Sequence, residues 1–237
     1  MGGVIVSLEP FSPVMLLVAI RDEAPRRAWL PPARHWPELP LIGGRDELAG
    51  GTWLAVHPAI PRVACVLNGR GQHAPQPFRR SRGDLPLRAA AGGRPAVDGL
   101  DPGAYDPFHL IVADIAAAQM LSWDGVRATR TSLGPGTHLI TSAGLDPQNP
   151  HAIDLAEQFA AACPAASPSA QPGDAWGGWL KLAGGTELPQ TGSDQRPTPS
   201  GPIRVTSSVS YVAFGPGGMR YDFQPVPGQI SAVSTAR

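Results

Sequence analysis

Short β-branched runs broken by turn residues occupy the first two thirds of the chain. Residues 4–6 and 14–20 predict two strands joined by the turn-forming stretch 9–13, and the second strand delivers Arg21 at its end. Between 29 and 41 the density of Pro and aromatic residues excludes regular helix and predicts an ordered but irregular loop. Gly50-Gly51 then launches 52–57, which with 62–67 reads as a hairpin. Asn68-Gly69-Arg70-Gly71 ends that hairpin and opens a basic loop, Arg79-Arg80-Ser81-Arg82, ahead of a short helical piece at 84–91. Runs at 108–114, 118–123, 126–133 and 138–142 predict a further meander, with Asp124-Gly125 as a turn.

The periodicity changes near residue 149. Asn149-Pro150 supplies an N-cap and a first-turn proline, and Ile153, Leu155 and Phe159 give the segment to Cys163 an apolar face, so a helix is predicted there. Residues 164–175 and 184–202 are rich in Ala, Pro, Ser, Gly and Thr and read as mobile loops around a short segment at 176–182. The final stretch, 203–223, reads as a terminal hairpin about Gly215-Pro216-Gly217-Gly218. With 237 residues and no break in composition, the chain is expected to form a single domain over 1–237.

Composition narrows the function classes. A formal net charge of zero gives no global field that would gather nucleic acid, so a nucleic-acid role is disfavoured. All basic residues but Lys181 are arginine, which together with the Ala, Gly and Pro content points to a GC-rich bacterial coding bias and means that arginine number alone says nothing about function. The two cysteines, Cys65 and Cys163, lack metal-ligand spacing, and the six histidines are scattered, so no resident cofactor or metal is expected. No run is long enough for a signal core or a membrane span, and a cytoplasmic protein is expected.

Several charged and glycine-rich blocks remain. They are Arg21-Asp22-Glu23 at a strand end, Trp29-Leu30, Gly43-Gly44-Arg45-Asp46, Gly50-Gly51-Thr52-Trp53-Leu54, Asn68-Gly69-Arg70-Gly71, Ser81-Arg82-Gly83, Phe108-His109-Leu110 and the strand at 204–208. Taken singly, a charged triplet after a strand is an ordinary surface turn, and paired glycines serve tight turns or close backbone approach. In this order along the chain, the blocks resemble the NRDE family, also called the Transport and Golgi organisation protein 2 family.

The resemblance implies an α+β fold of the N-terminal nucleophile hydrolase type, a four-layer αββα sandwich of two antiparallel sheets. Related amidases use a cysteine at the second position as nucleophile, with an Arg and an Asp after the second strand and Asn side chains at the oxyanion hole. Carried over by motif, the catalytic places fall on Gly2, Arg21, Asp22 and Asn68. Glu23, Arg45, Arg70 and His109 are the expected ligand-binding residues; His109 is singled out because alternation turns it away from Phe108 and Leu110.

Two positions depart from the family pattern. Residue 2 is Gly, which offers no nucleophile, and residue 20 is Ile where the name-giving motif has Asn. The resemblance implies haem mobilisation or lipid-linked metabolism, and the glycine favours binding over catalysis. The expected function is therefore binding or trafficking of a small apolar anionic ligand, haem included as cargo. The alternatives are a cysteine-type amide-bond hydrolase that has lost its nucleophile, and an interaction module, the last favoured only if no pocket forms around Arg21 and Asn68. Two further signals have bland explanations. Thr52 after Gly51 resembles a self-cleavage junction but reads better as a strand start, and Cys163-Pro164 reads as a helix end.

Overall fold

A computed structural model describes residues 2–8, 14–185 and 204–235. Strands β1 (Gly3–Leu8) and β2 (Met15–Glu23) come first, followed by β3 (Trp29–Ala33), β4 (Ile42–Asp46), β5 (Leu54–His57) and β6 (Arg62–Asn68). Helix α1 (Leu85–Asp98) leads to β7 (Phe108–Asp114), β8 (Ala118–Trp123), β9 (Ala128–Leu133), β10 (Gly136–Thr141) and the two-residue β11 (Gly144–Leu145). Helices α2 (Pro150–Ala161), α3 (Pro172–Trp176) and α4 (Gly178–Gly185) precede β12 (Val205–Gly215), β13 (Gly218–Pro225) and β14 (Ser231–Ala232).

The strands form two antiparallel sheets of seven. One runs β11-β10-β1-β2-β12-β13-β14 and the other β3-β4-β5-β6-β7-β8-β9. Alternation along each strand then sorts side chains into layers. Val4, Val6, Leu17 and Phe214 from the first sheet meet Ile42, Leu54, Val63 and Ile111 from the second. On the outer face of the first sheet, Ile5, Leu16, Val18 and Tyr211 pack against Phe159, Trp176 and Trp179 of α2, α3 and α4. On the outer face of the second, Ala55, Ala64, Leu110 and Val112 pack against Leu85, Ala89 and Val97 of α1. Each fully buried Leu, Ile or Phe contributes about 1.5–3 kcal/mol, so these three layers hold the sheets in one register. The α+β sandwich with helices outside is the fold expected from the family blocks.

Differences from the sequence reading have local causes. Trp29–Ala33 is a strand despite Pro31 and Pro32, because β3 lies at a sheet edge and its pairing with β4 shifts between Leu30 and Ala33, where no ladder N–H is needed. The run at 138–142 does not continue the meander. Its strand, β10, crosses to the other sheet and pairs with β1, Val4 opposite Ile140. The helix foreseen at 84–91 runs on to Asp98 through a kink at Gly93, whose φ of 60° a side chain would strain. The helix at Asn149 starts as expected, with the Asn149 side chain accepting from the His151 and Ala152 N–H groups.

The segment 164–175, read as mobile, is tied down. Pro172–Trp176 is helical, the Ala166 N–H donates to the Ala175 carbonyl, and the Arg220 guanidinium donates to the carbonyls of Ser167 and Ala170 at 2.6 and 2.7 Å. Of the other loop, 184–202, residues from 186 onward lie outside the described residues, as does the turn foreseen at 9–13. No helix among the described residues is long and apolar enough to cross a membrane.

Candidate functional site

The ends of β2, β4 and β6 meet the start of β5 at one end of the sandwich, and the loop 79–83 closes over them. They enclose a cleft of about 440 Å³. Arg21 forms its floor. Odd-numbered residues of β2 face the space between the sheets, so Arg21 follows Leu17 and Ala19 inward, and its side chain is 4% exposed. A buried guanidinium needs partners, and a register shift between Thr206 and Ser208 supplies the first by turning Ser207 toward it. Arg21 Nη1 donates to Ser207 Oγ at 2.8 Å, and that hydroxyl donates to the Arg21 carbonyl at 3.0 Å.

Carboxylates of Glu23 and Asp46 each lie 3.7 Å from Arg21 Nη2, and the Trp53 ring lies 4.3 Å beneath the guanidinium carbon. Desolvation lowers the Arg21 pKa, with Glu23 and Asp46 working against it. Burial works to raise the pKa of Asp46, but hydrogen bonds from Arg27 and the Ala49 N–H, with the charges of Arg27 and Arg21, prevail and hold it below the ordinary carboxylate value. Arg27 grips that carboxylate with two bonds, 2.7 and 2.9 Å long.

The glycine blocks work by close approach. A Cβ on Gly44 would run into the Trp53 indole, so glycine at 44 is what lets Trp53 lie under Arg21. A Cβ on Gly51 would lie 2.5 Å from the Gly83 backbone, and the Thr52 N–H donates to the Gly83 carbonyl at 2.8 Å. Thus Gly50-Gly51 and Ser81-Arg82-Gly83, which meet through Gly51 and Gly83, are one contact in space although far apart in the chain. Gly69 makes the third approach, its N–H donating to the Pro107 carbonyl at 2.8 Å. Arg82 Nη1 donates to that same carbonyl at 2.8 Å, which brings the basic loop beside the end of β6.

The expected site residues are divided by this geometry. Arg21, Glu23 and Asn68 line the cleft together. The Asn68 side-chain amide makes no hydrogen bond among the described residues, so its donor and acceptor are open to a ligand. Asp22 and Gly2 do not line the cleft. They adjoin each other instead: the Gly2 N–H donates to the Ile20 carbonyl at 2.9 Å, and the Asp22 carboxylate stands where a side chain at residue 2 would begin. Thr206 Oγ1 donates to Asp22 Oδ1 at 2.9 Å.

Arg45 and Arg70, expected as ligand-binding residues, lie away from the cleft. Asp46 faces inward, so its neighbour Arg45 projects from the opposite face of β4 into solvent, and Arg70 is exposed beyond the end of β6. Neither lines the cleft. His109 turns away from Phe108 and Leu110 as alternation requires, but its ring is engaged by Ser122 Oγ at 2.8 Å and the Ser142 carbonyl at 3.2 Å, outside the cleft. Thr52 is a buried wall residue whose hydroxyl donates to the Leu54 carbonyl.

Arg27 and Asp106 also line the cleft without a signal of their own in the sequence, since only the folded chain brings them beside the charged blocks. The cleft thus presents five guanidinium groups, from Arg21, Arg27, Arg79, Arg80 and Arg82, against the carboxylates of Glu23, Asp46 and Asp106. Such a lining attracts anions in a chain that is neutral overall.

No curated relative matches the chain. The family model described as Transport and Golgi organisation 2 matches residues 8–194, a span that contains every block bordering the cleft except the strand at 204–208. The chain belongs to the Transport and Golgi organisation 2 family.

Proposed function

We propose that the cleft holds a small anionic molecule with an apolar body, haem or an acyl- or lipid-linked compound, and that the protein binds or carries it in the cytoplasm. The observation that supports this most is the lining: an excess of guanidinium over carboxylate groups, set beside the apolar surfaces of Trp53, Val66 and Leu48. Haem on this reading is cargo rather than a resident group. Titration of the purified protein with haemin and with an acyl-coenzyme A is expected to give saturable binding of at least one. Absence of saturable binding of both overturns the proposal.

The two other readings fare worse. The cysteine-type amide hydrolysis that the resemblance implies uses a nucleophile at residue 2, and Gly2 supplies none while the Asp22 carboxylate takes up the adjoining space. A pure interaction module predicts no pocket around Arg21 and Asn68, and both line the cleft.

A further inference from the structure

The arginines of the cleft differ in how far their charge is already answered. Arg27 is clasped by Asp46, Arg79 Nε lies 3.1 Å from Asp106 Oδ1, and Arg80 Nη2 lies 2.8 Å from Asp84 Oδ2. Arg21 is held by Ser207, Glu23, Asp46 and the Trp53 ring. Arg82 is the exception. Its only hydrogen bond among the described residues is the one from Nη1 to the Pro107 carbonyl, and no described carboxylate comes within 4 Å of it. Glu23 and Asp106 act on it only from farther away, while burial weakens its hold on its proton. A half-buried cation with Nε and Nη2 uncommitted presents a planar fork of donors, the arrangement that matches a carboxylate or phosphate with two parallel bonds.

We infer that Arg82 is the anion-anchoring residue of this cleft, taking the carboxylate or phosphate oxygens of the ligand on its free Nε and Nη2 edge, with the open Asn68 amide as a neighbouring polar contact. The inference rests on the cleft being a ligand site. It assigns to Arg82 the anion pairing expected of Arg21, Arg45 or Arg70. The other four guanidinium groups steer and orient, since each already has a carboxylate within 4 Å that answers its charge.

Side-chain ¹⁵N–¹H spectroscopy of the full chain tests it, with inorganic phosphate and acetate as probes. The Arg82 Nε–Hε resonance, identified by its loss in Arg82→Lys, is expected to move saturably with at least one probe, and the probe that binds more tightly tells phosphate chemistry from carboxylate chemistry. Arg82→Gln is expected to weaken binding of that probe, and of haemin or acyl-coenzyme A, at least about tenfold. Arg82→Lys keeps the charge but loses the fork and falls between, while Arg127→Gln on an exposed turn leaves binding unchanged. If haemin or acyl-coenzyme A binds wild type and Arg82→Gln equally, Arg82 is not the anchor although the cleft remains a ligand site. If wild type binds none of the four molecules, both readings fall.

Discussion

At the scale of single residues, His109 shows what burial does to a titratable ring. Its Nε2 faces the Ser142 carbonyl and so must carry a proton and donate, which leaves Nδ1 to accept from the Ser122 hydroxyl in the neutral ring. Desolvation lowers its pKa below 6.5, and the hydrogen bond to Ser142 only partly opposes this. His57 is lowered too, by burial first and then by Arg62. For a group lowered in this way, the unfolded chain takes up a proton that the folded protein refuses. Stability is therefore full above pH 6.5 and declines as pH falls toward the folded-state value. The urea midpoint is expected to drop between about pH 7 and 5, and His109→Gln to flatten that slope, the residue of it belonging to His57. An unchanged slope in His109→Gln would show that the ring titrates alike in both states.

At the scale of elements, the cleft depends on backbone contacts that only glycine permits. The segment leading into β5 and the loop before α1 touch through Gly51 and Gly83, and the Thr52 N–H to Gly83 carbonyl bond closes the joint. A methyl group at residue 51 must push the loop away from the strand, and with it Arg82. Gly51→Ala is expected to cost about 1–3 kcal/mol in denaturant unfolding and to weaken ligand binding more than an equally destabilising change at the far end of the sandwich would. Equal affinity in Gly51→Ala and wild type would mean that the loop reaches its place without this joint. The glycine pairs were legible as sites of close approach, but their partners were not, because nothing in the sequence near 50 names residue 83. Arg45 shows the converse. Its block borders the site, yet strand alternation sends Asp46 into the cleft and Arg45 out of it.

At the scale of the whole molecule, the outer helical layer is fastened to the first sheet by a buried charge pair. Asp222, fully buried on β13, accepts from Arg220 Nε and from Trp176 Nε1, the latter at 2.6 Å. Arg220 in turn binds the carbonyls of the 164–175 segment. Asp222→Asn leaves the guanidinium buried without its counter-charge, so a loss of about 3 kcal/mol is expected, with faster amide exchange at 166–176 than in the sheets. Exchange that rises no more there than elsewhere would show that packing of Trp176 and Trp179 suffices to hold the layer.

Local chemistry in the sequence determined much of this protein: strands where β-branched residues cluster, the helix start at Asn149, and the inward turn of His109, because propensity, capping and alternation act over a few residues. It also marked the family blocks, and through them the two-sheet fold. The tertiary structure alone decided that β10 leaves the meander for β1, that Trp53 lies under Arg21, and that Arg82 lacks a carboxylate partner among the described residues. Those outcomes depend on which surfaces meet after the sheets pack, and a guanidinium's availability is fixed by the carboxylates that reach it, from positions as far away in the chain as Asp106 is from Arg21.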